Sequence, residues 1–361
     1  TEAVTDKYNS MLQSPGTLMF WTTLVILLSF WICSIGLQKG VEKIMKATML
    51  CLLAIMVILA VRSITLTGAS EGLEFYLIPN FDRVKEAGIG NVIFGAMSQS
   101  FFTLSIGMGG MAIFGSYLDK SRSLMGESLS IVLLDTFVAL TAGLIVFPAC
   151  FAFDVEPGAG PGLVFITLPN IFTQMPGGRF WGALFFLFLF FAALSTIVGV
   201  FENIVSFGMD LFGFSRRKSV GINIVIIIVF SIPCILGFNV LAGLQPLGSG
   251  STIMDLEDFL VSNNILPLGS VIYLIFCTHK NGWGWDNFIR EANSGNGLKF
   301  PQFIRGYMTY VLPWIVVIIY LKGYYDKFSP QGTAVFSVWM VIGIAFLLMV
   351  FMVSRKKKAL R

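Results

Sequence analysis

From residue 89 to residue 116 the sequence runs through mainly apolar residues, and near the middle of that run three of the four positions 107–110 are glycine: Gly107, Gly109 and Gly110. A run of this length reads as membrane-spanning. Glycine weakens a helix, and lipid offers no water to satisfy the backbone groups that a weakened helix releases. Thr103 and Ser105 place hydroxyls beside the weak point. A helix broken at mid-membrane, with polar groups at the break, suits the movement of an ion and a substrate through a bilayer, because freed carbonyls and amides can grip both. Close packing on a neighbouring helix through small residues explains the glycines equally well. The cluster alone leaves both readings open.

Composition sets the class. Of the 361 residues, 56% are hydrophobic and 12% charged, and the mean hydropathy is +0.82. A water-soluble fold could not hide that much apolar surface. The sequence predicts an all-α polytopic membrane protein with nine transmembrane helices, over residues 17–37, 44–66, 89–116, 127–152, 179–210, 219–238, 255–279, 302–322 and 332–353. Each is close to or above the ~20 residues that cross a bilayer as helix.

Positive charge predicts the orientation. Lys39, Lys43 and Lys46 flank the first connection, Lys120 and Arg122 the third, Arg216, Arg217 and Lys218 the fifth, and Lys280, Arg290 and Lys299 the seventh. The tail carries Arg355, Lys356, Lys357, Lys358 and Arg361. Every second loop is basic, which places those loops and the C-terminus in the cytoplasm. The other loops are poorer in positive charge, with Arg83, Lys85, Arg179, Lys322 and Lys327 on the outer side. Nine spans with a cytoplasmic C-terminus put Thr1 outside. The chain begins with neither Met nor a signal peptide, and the expectation is that an odd number of spans precedes it.

Several function classes are excluded. The only histidine is His279, so histidine catalysis and multi-histidine metal sites are ruled out. The five cysteines, Cys33, Cys51, Cys150, Cys234 and Cys277, lie within or at the ends of spans, with no disulfide or zinc spacing. There is no nucleophile elbow and no phosphate-cradling glycine loop. A net charge of +4 implies no nucleic-acid role. No enzyme activity is expected.

The motifs, taken in order, resemble those of the neurotransmitter:sodium symporters, in particular the bacterial branch with the leucine-transporter fold. They are Gly72-Leu73-Glu74-Phe75 with Pro79-Asn80-Phe81, the broken-helix segment 101–110, and Gly160-Pro161-Gly162-Leu163-Val164-Phe165-Ile166-Thr167-Leu168-Pro169 in the large outer loop. Phe190-Phe191-Ala192-Ala193-Leu194-Ser195-Thr196 and Leu256-Glu257-Asp258-Phe259 follow. That fold is a worked case of inverted-repeat logic, so the broken helix is inherited with it. The resemblance implies twelve spans, ten of them in two repeats of five. Residues 17–66 would hold the last two helices of the first repeat, 89–279 the second repeat and 302–353 two C-terminal helices. The nine spans here would be the fourth to the twelfth of a chain lacking its first three.

The resemblance also assigns residues. One sodium site would use Thr103 and Asp135, and a carboxylate in the apolar run Ile131-Val132-Leu133-Leu134 is costly without a partner; Asp135 otherwise reads as a protonated acid in an interhelical hydrogen bond. The fixed charge of Asp135 would replace the chloride that some relatives need, so no chloride requirement is expected. The second sodium site would use the carbonyl of Ala192 with the hydroxyls of Ser195 and Thr196, which otherwise read as hydroxyls bonding their own backbone. An amino acid or small amine would be lined by Phe102, Thr103, Ser105, Met108, Thr196 and Val200, its amino group near Gly107. Phe102, Met108 and Val200 otherwise read as plain packing. Gln99, Phe102 and Asp258 would form the outer gate, and Tyr117, Glu202 and Asp210 the inner one, with Glu202 able to titrate. Many relatives carry Gly-x9-Pro in the helix that unwinds for inward release; here Gly40 is followed at the tenth position by Leu50, which puts easy unwinding in doubt.

The expected function is sodium-coupled symport by alternating access, in the cell membrane, with sodium, substrate and the lipid bilayer as partners. The competing expectation is a non-transporting membrane protein, such as a degenerate paralogue or a sensor. A polytopic membrane enzyme is a third reading, for which the sequence has no catalytic cluster.

Overall fold

The computed structural model describes residues 2–36, 41–158 and 160–355, without the side chains of Glu2 and 353–355. Lys39, Gly40 and the basic residues after Arg355 lie outside the described residues. Within them the chain is helical, with no strand and one isolated bridge, between Arg122 and Asn296.

The helices run in order α1 (Glu2–Leu12), α2 (Pro15–Ile35), α3 (Glu42–Ile64), α4 (Ala69–Leu77), α5 (Phe81–Ala87), α6 (Ile89–Thr103), α7 (Gly110–Ser116) and α8 (Leu124–Ala152). The short α9 (Gly160–Gly162) and α10 (Leu168–Gln174) precede α11 (Gly178–Phe212) and α12 (Arg216–Gly237). Then come α13 (Ile253–Leu260), α14 (Leu266–Thr278), α15 (Trp285–Ala292), α16 (Leu312–Phe328) and α17 (Thr333–Arg355). Their ends follow local chemistry. Pro15 starts α2, where a missing N–H costs nothing. Ser215 caps α12 through the amide of Lys218, and Thr252 with Asp255 forms a capping box on α13.

Eight helical segments among the described residues are long and apolar enough to cross a membrane. The ninth expected span is two helices, α6 of 15 residues and α7 of 7 residues, separated at 104–109. One expected boundary moves far: the span expected at 302–322 extends over Gln302–Gln331. Lys322 there pairs with Asp326 at 2.8 Å and sits 4.7 Å over the ring of Phe94. Both contacts quiet the charge that read as a helix end.

Among the described residues π turns interrupt the helices at Leu163–Thr167, Val261–Ile265 and Tyr307–Val311. Each is followed by Leu-Pro: Leu168-Pro169, Leu266-Pro267 and Leu312-Pro313. In each, the leucine amide bonds five residues back, to Leu163, Val261 and Tyr307 respectively. Proline has no N–H to give its i−4 carbonyl and its ring crowds that carbonyl, so the turn before it widens.

The chain forms two compact units, Thr1–Phe81 with Thr136–Leu244, and Asp82–Asp135 with Gln245–Arg361. The first has two apolar clusters. One joins Leu52, Met56 and Leu59 of α3 to Ile145 and Ala149 of α8, Leu168 and Ile171 of α10, and Phe185 and Phe188 of α11. The other joins Ile26, Phe30 and Cys33 of α2 to Leu194, Val198, Phe201 and Val205 of α11, the last four at helical spacing. Phe30 stacks on Phe201 at 4.2 Å. Gly72 of α4 lets the backbone approach α8 at Phe147 and Pro148, where a Cβ would stand 2.6 Å from a carbonyl oxygen. The second unit packs Phe259, Val271, Val316, Tyr320, Tyr324 and Phe328 into one cluster, and Phe328 stacks on Trp339 at 4.7 Å. Because lipid is as apolar as these side chains, close fit rather than water exclusion holds such helices together.

Candidate functional site

The break between α6 and α7 lies where the glycines place it. Ser105 takes φ 49°, Gly107 90° and Gly109 88°, values that L side chains avoid. Gly109 is the left-handed N-cap of α7. Gly107 also meets α14: a Cβ there would overlap the carbonyl oxygen of Leu266 and stand 2.7 Å from the amide of Ser270. A Cβ on Gly269 of α14 would overlap the carbonyl of Gly107 in return. The two readings of the glycine cluster are therefore both realised, since the helix breaks there and the break packs on its neighbour.

At the last turn of α6, the Thr103 hydroxyl lies 3.0 Å from both carboxylate oxygens of Asp135 on α8. This sets a carboxylate and a hydroxyl beside the unwound backbone. In the other unit, the hydroxyls of Ser195 and Thr196 donate to the Ala192 carbonyl at 2.8 Å and 3.2 Å. The three expected groups converge there, in the i−3 and i−4 pattern that serine and threonine also make in ordinary helices. Carboxylate, hydroxyl and carbonyl oxygens suit a hard cation. Among the described residues no group of three His, Cys, Asp or Glu could hold a metal.

The residues expected to line the substrate divide between the units. Phe102, Thr103, Ser105, Gly107 and Met108 belong to one, and Thr196 and Val200 to the other. Phe102 is 55% exposed. Val200 packs against the cluster that contains Phe30, Val198 and Phe201.

The three residues expected at the outer gate share one groove. Gln99, Phe102 and Asp258 line a cavity of about 330 Å³ with Ser262, Asn263 and Tyr320. Asp258 accepts a hydrogen bond from Ser262 at 2.8 Å. The three residues expected at the inner gate differ in setting. Tyr117 caps α7, Asp210 is exposed near the end of α11, and Glu202 is fully buried at 0%. Arg216 grips Glu202 with two hydrogen bonds, 2.6 Å and 2.9 Å, and donates to the Cys33 carbonyl at 2.7 Å. One guanidinium thus ties α2, α11 and α12, and its planar fork suits a carboxylate. Sequence reading missed this pair because Arg216 counted only as loop charge. It also missed Asn263 and Asn264, although two amides inside an apolar span before Leu-Pro were a readable signal.

Comparison with known proteins identifies the family. Residues 3–356 match the sodium:neurotransmitter symporter family. The sodium-dependent transporter YhdH of Bacillus subtilis is 31% identical over 317 residues, covering 87% of this chain and 68% of the relative. A sodium-dependent transporter of Haemophilus influenzae is 30% identical, covering 86% of this chain and 66% of the relative. The rat sodium- and chloride-dependent taurine transporter is 29% identical, covering 74% of this chain and 44% of the relative. The crystal structure of MhsT in complex with L-phenylalanine superimposes with a TM-score of 0.76 at 35% identity, covering 89% of this chain and 71% of MhsT. The chain thus spans about two thirds of the length of its bacterial relatives. With these matches and its apolar helices it is a multi-pass membrane protein, of a symporter rather than an enzyme kind, and it belongs to the sodium:neurotransmitter symporter family.

Proposed function

We propose that this chain works in a sodium-coupled symporter that carries an amino acid or a related small amine by alternating access. The observation that carries the reading is the Thr103–Asp135 pair beside the break at 104–109. A carboxylate at that depth calls for a cation, and unwound backbone offers carbonyls to a cation and to an ammonium group. Ala192, Ser195 and Thr196 supply a second set of oxygens. The amino-acid class draws support from the L-phenylalanine bound to MhsT. Asp135 provides fixed negative charge, so transport should proceed without chloride, unlike that of the taurine transporter, whose name includes it. The basic loops favour a cell-membrane protein with a cytoplasmic C-terminus.

The test is uptake of labelled L-phenylalanine into proteoliposomes holding the protein expressed from its whole reading frame, under an inward sodium gradient. Accumulation that collapses when potassium or choline replaces sodium supports the reading. Uptake indifferent to sodium overturns it. The non-transporting alternative has one observation in its favour. Helix α3 runs unbroken over Glu42–Ile64, and Leu50, where many relatives have proline, is 69% exposed within it. No uptake of any amino acid, with the protein folded, would favour that alternative.

A further inference from the structure

Asn264 lies inside the π turn Val261–Ile265 and is 6% exposed. Its Oδ1 accepts from the Tyr324 hydroxyl at 2.6 Å and lies 3.3 Å from the Tyr320 hydroxyl. Its Nδ2 donates to the Phe259 carbonyl at 3.2 Å, five residues back. The Tyr320 hydroxyl also lies 3.0 Å from the Gly343 carbonyl. Both tyrosines are buried. A buried polar network of this kind holds a single geometry, because any shift leaves a polar group unpaired at low dielectric. It reaches from α16 and Gly343 of α17 into the turn.

The neighbours of Asn264 point elsewhere. Ser262 and Asn263 line the groove with Asp258, Gln99 and Phe102, and so does Pro267. Pro267 gives no N–H to the Asn263 carbonyl four residues back. The Asn263 side chain lies over Gly323, where a Cβ would collide with its Nδ2. Gly323 thus lets α16 pass close to the turn.

A π turn carries one residue more than an α turn, so losing it would rotate α13 against α14 by about 100°. That rotation would carry Asp258 off the groove wall. We propose that Asn264 is the positioning residue of this groove: held by Tyr320 and Tyr324, it fixes the π turn so that Asp258, Ser262 and Asn263 face Gln99 and Phe102. The link to transport rests on the function proposed above; the geometric claim does not.

Two readouts separate these claims. The first is labelling of D258C by a polar maleimide in purified detergent-solubilised protein, less the signal of protein without D258C. Asn264→Leu removes the lock. Pro267→Ala restores the missing amide without touching the tyrosines. Tyr324→Phe removes only the shortest bond. Each is combined with D258C, and folding is checked by size-exclusion chromatography. Asn264→Leu and Pro267→Ala should slow labelling by roughly tenfold, with Tyr324→Phe in between. Unchanged labelling in the folded variants overturns the proposal. If Asn264→Leu fails to fold, the other two decide by the same criterion. The second readout is uptake of L-phenylalanine with Asp258 intact. The same substitutions should raise KM roughly tenfold with kcat held, a split that loss of stability alone does not give. If wild-type protein carries no phenylalanine, the transport reading fails and the labelling result still decides the positioning role.

Discussion

The Thr103 hydroxyl stands equidistant, at 3.0 Å, from the two oxygens of Asp135. One proton serves both, so neither carboxylate oxygen is saturated by this contact. Rotating the hydroxyl turns a lone pair where the proton was, and the same pair then offers a cation both a charge and a neutral oxygen.

Thr103→Val keeps the shape and removes that oxygen. A hydrogen bond to a charged group contributes about 1.5–3 kcal/mol, so apparent sodium affinity should fall roughly ten- to hundredfold. Sodium titrations of uptake, or of tryptophan fluorescence in detergent, would measure it. An unchanged sodium midpoint would remove Thr103 from the cation site.

The Glu202–Arg216 pair should behave as a buried ion pair, since Glu202 has no exposure and both guanidinium nitrogens engage it. Arg216→Met strands a buried carboxylate and should destabilise the protein by about 3–5 kcal/mol. The double variant Glu202→Leu with Arg216→Met should recover most of that loss, because no charge is left without a partner. Thermal unfolding of the four proteins in one detergent gives the cycle. Additive losses would mean that the two side chains do not act as a pair.

Gly107→Ala meets two obstacles, a φ of 90° and the Leu266 carbonyl. The strain should cost about 1–3 kcal/mol, seen as a lower melting temperature. Gly110→Ala is the control: it sits at the start of α7 with nothing within 4 Å of the added Cβ, and alanine favours helix. Equal effects at the two positions would show that packing against α14 does not fix the break.

Much of this was legible before any coordinates. Membrane helices announce themselves through length and hydropathy, and the glycines marked where a break could fall, although close packing explained them equally well until the family resemblance decided. Asp135 stood out because charge in an apolar run demands an explanation. Gln99, Phe102 and Asp258, assigned through the family resemblance, meet in one groove. Contacts between positions remote in the chain were less visible. Glu202 and Arg216 are 14 residues apart, and each already had a separate explanation, as gate and as loop charge. The π turns were missed although Leu-Pro marks each one, because the sequence reading weighed proline's effect on a helix only where one was lacking, at Leu50. Asn264 fell with them, its partners Tyr320 and Tyr324 lying 56 and 60 residues away.

Charge balance at Asp135 gives the last prediction. A carboxylate and a sodium ion brought together in a low-dielectric region neutralise one another, and each alone would be costly. If Asp135 supplies the negative charge, replacing chloride by gluconate should leave wild-type uptake unchanged. Asp135→Asn keeps the shape and an oxygen near Thr103 but removes the charge, leaving the bound cation and the dipoles around it uncompensated. Uptake by this variant should fall roughly a hundredfold in chloride-free buffer, as expected when an ion within an apolar span loses a partner that offset a cost of about 2.5–3.5 kcal/mol. Added chloride, a mobile anion able to enter the same region, should restore part of it. The assay is sodium-driven uptake of L-phenylalanine in paired chloride and gluconate buffers. A wild type that needs chloride, or an Asp135→Asn variant that transports normally without it, would show that the negative charge comes from elsewhere, leaving Asp135 a hydrogen-bonded acid that holds the end of α6 to α8.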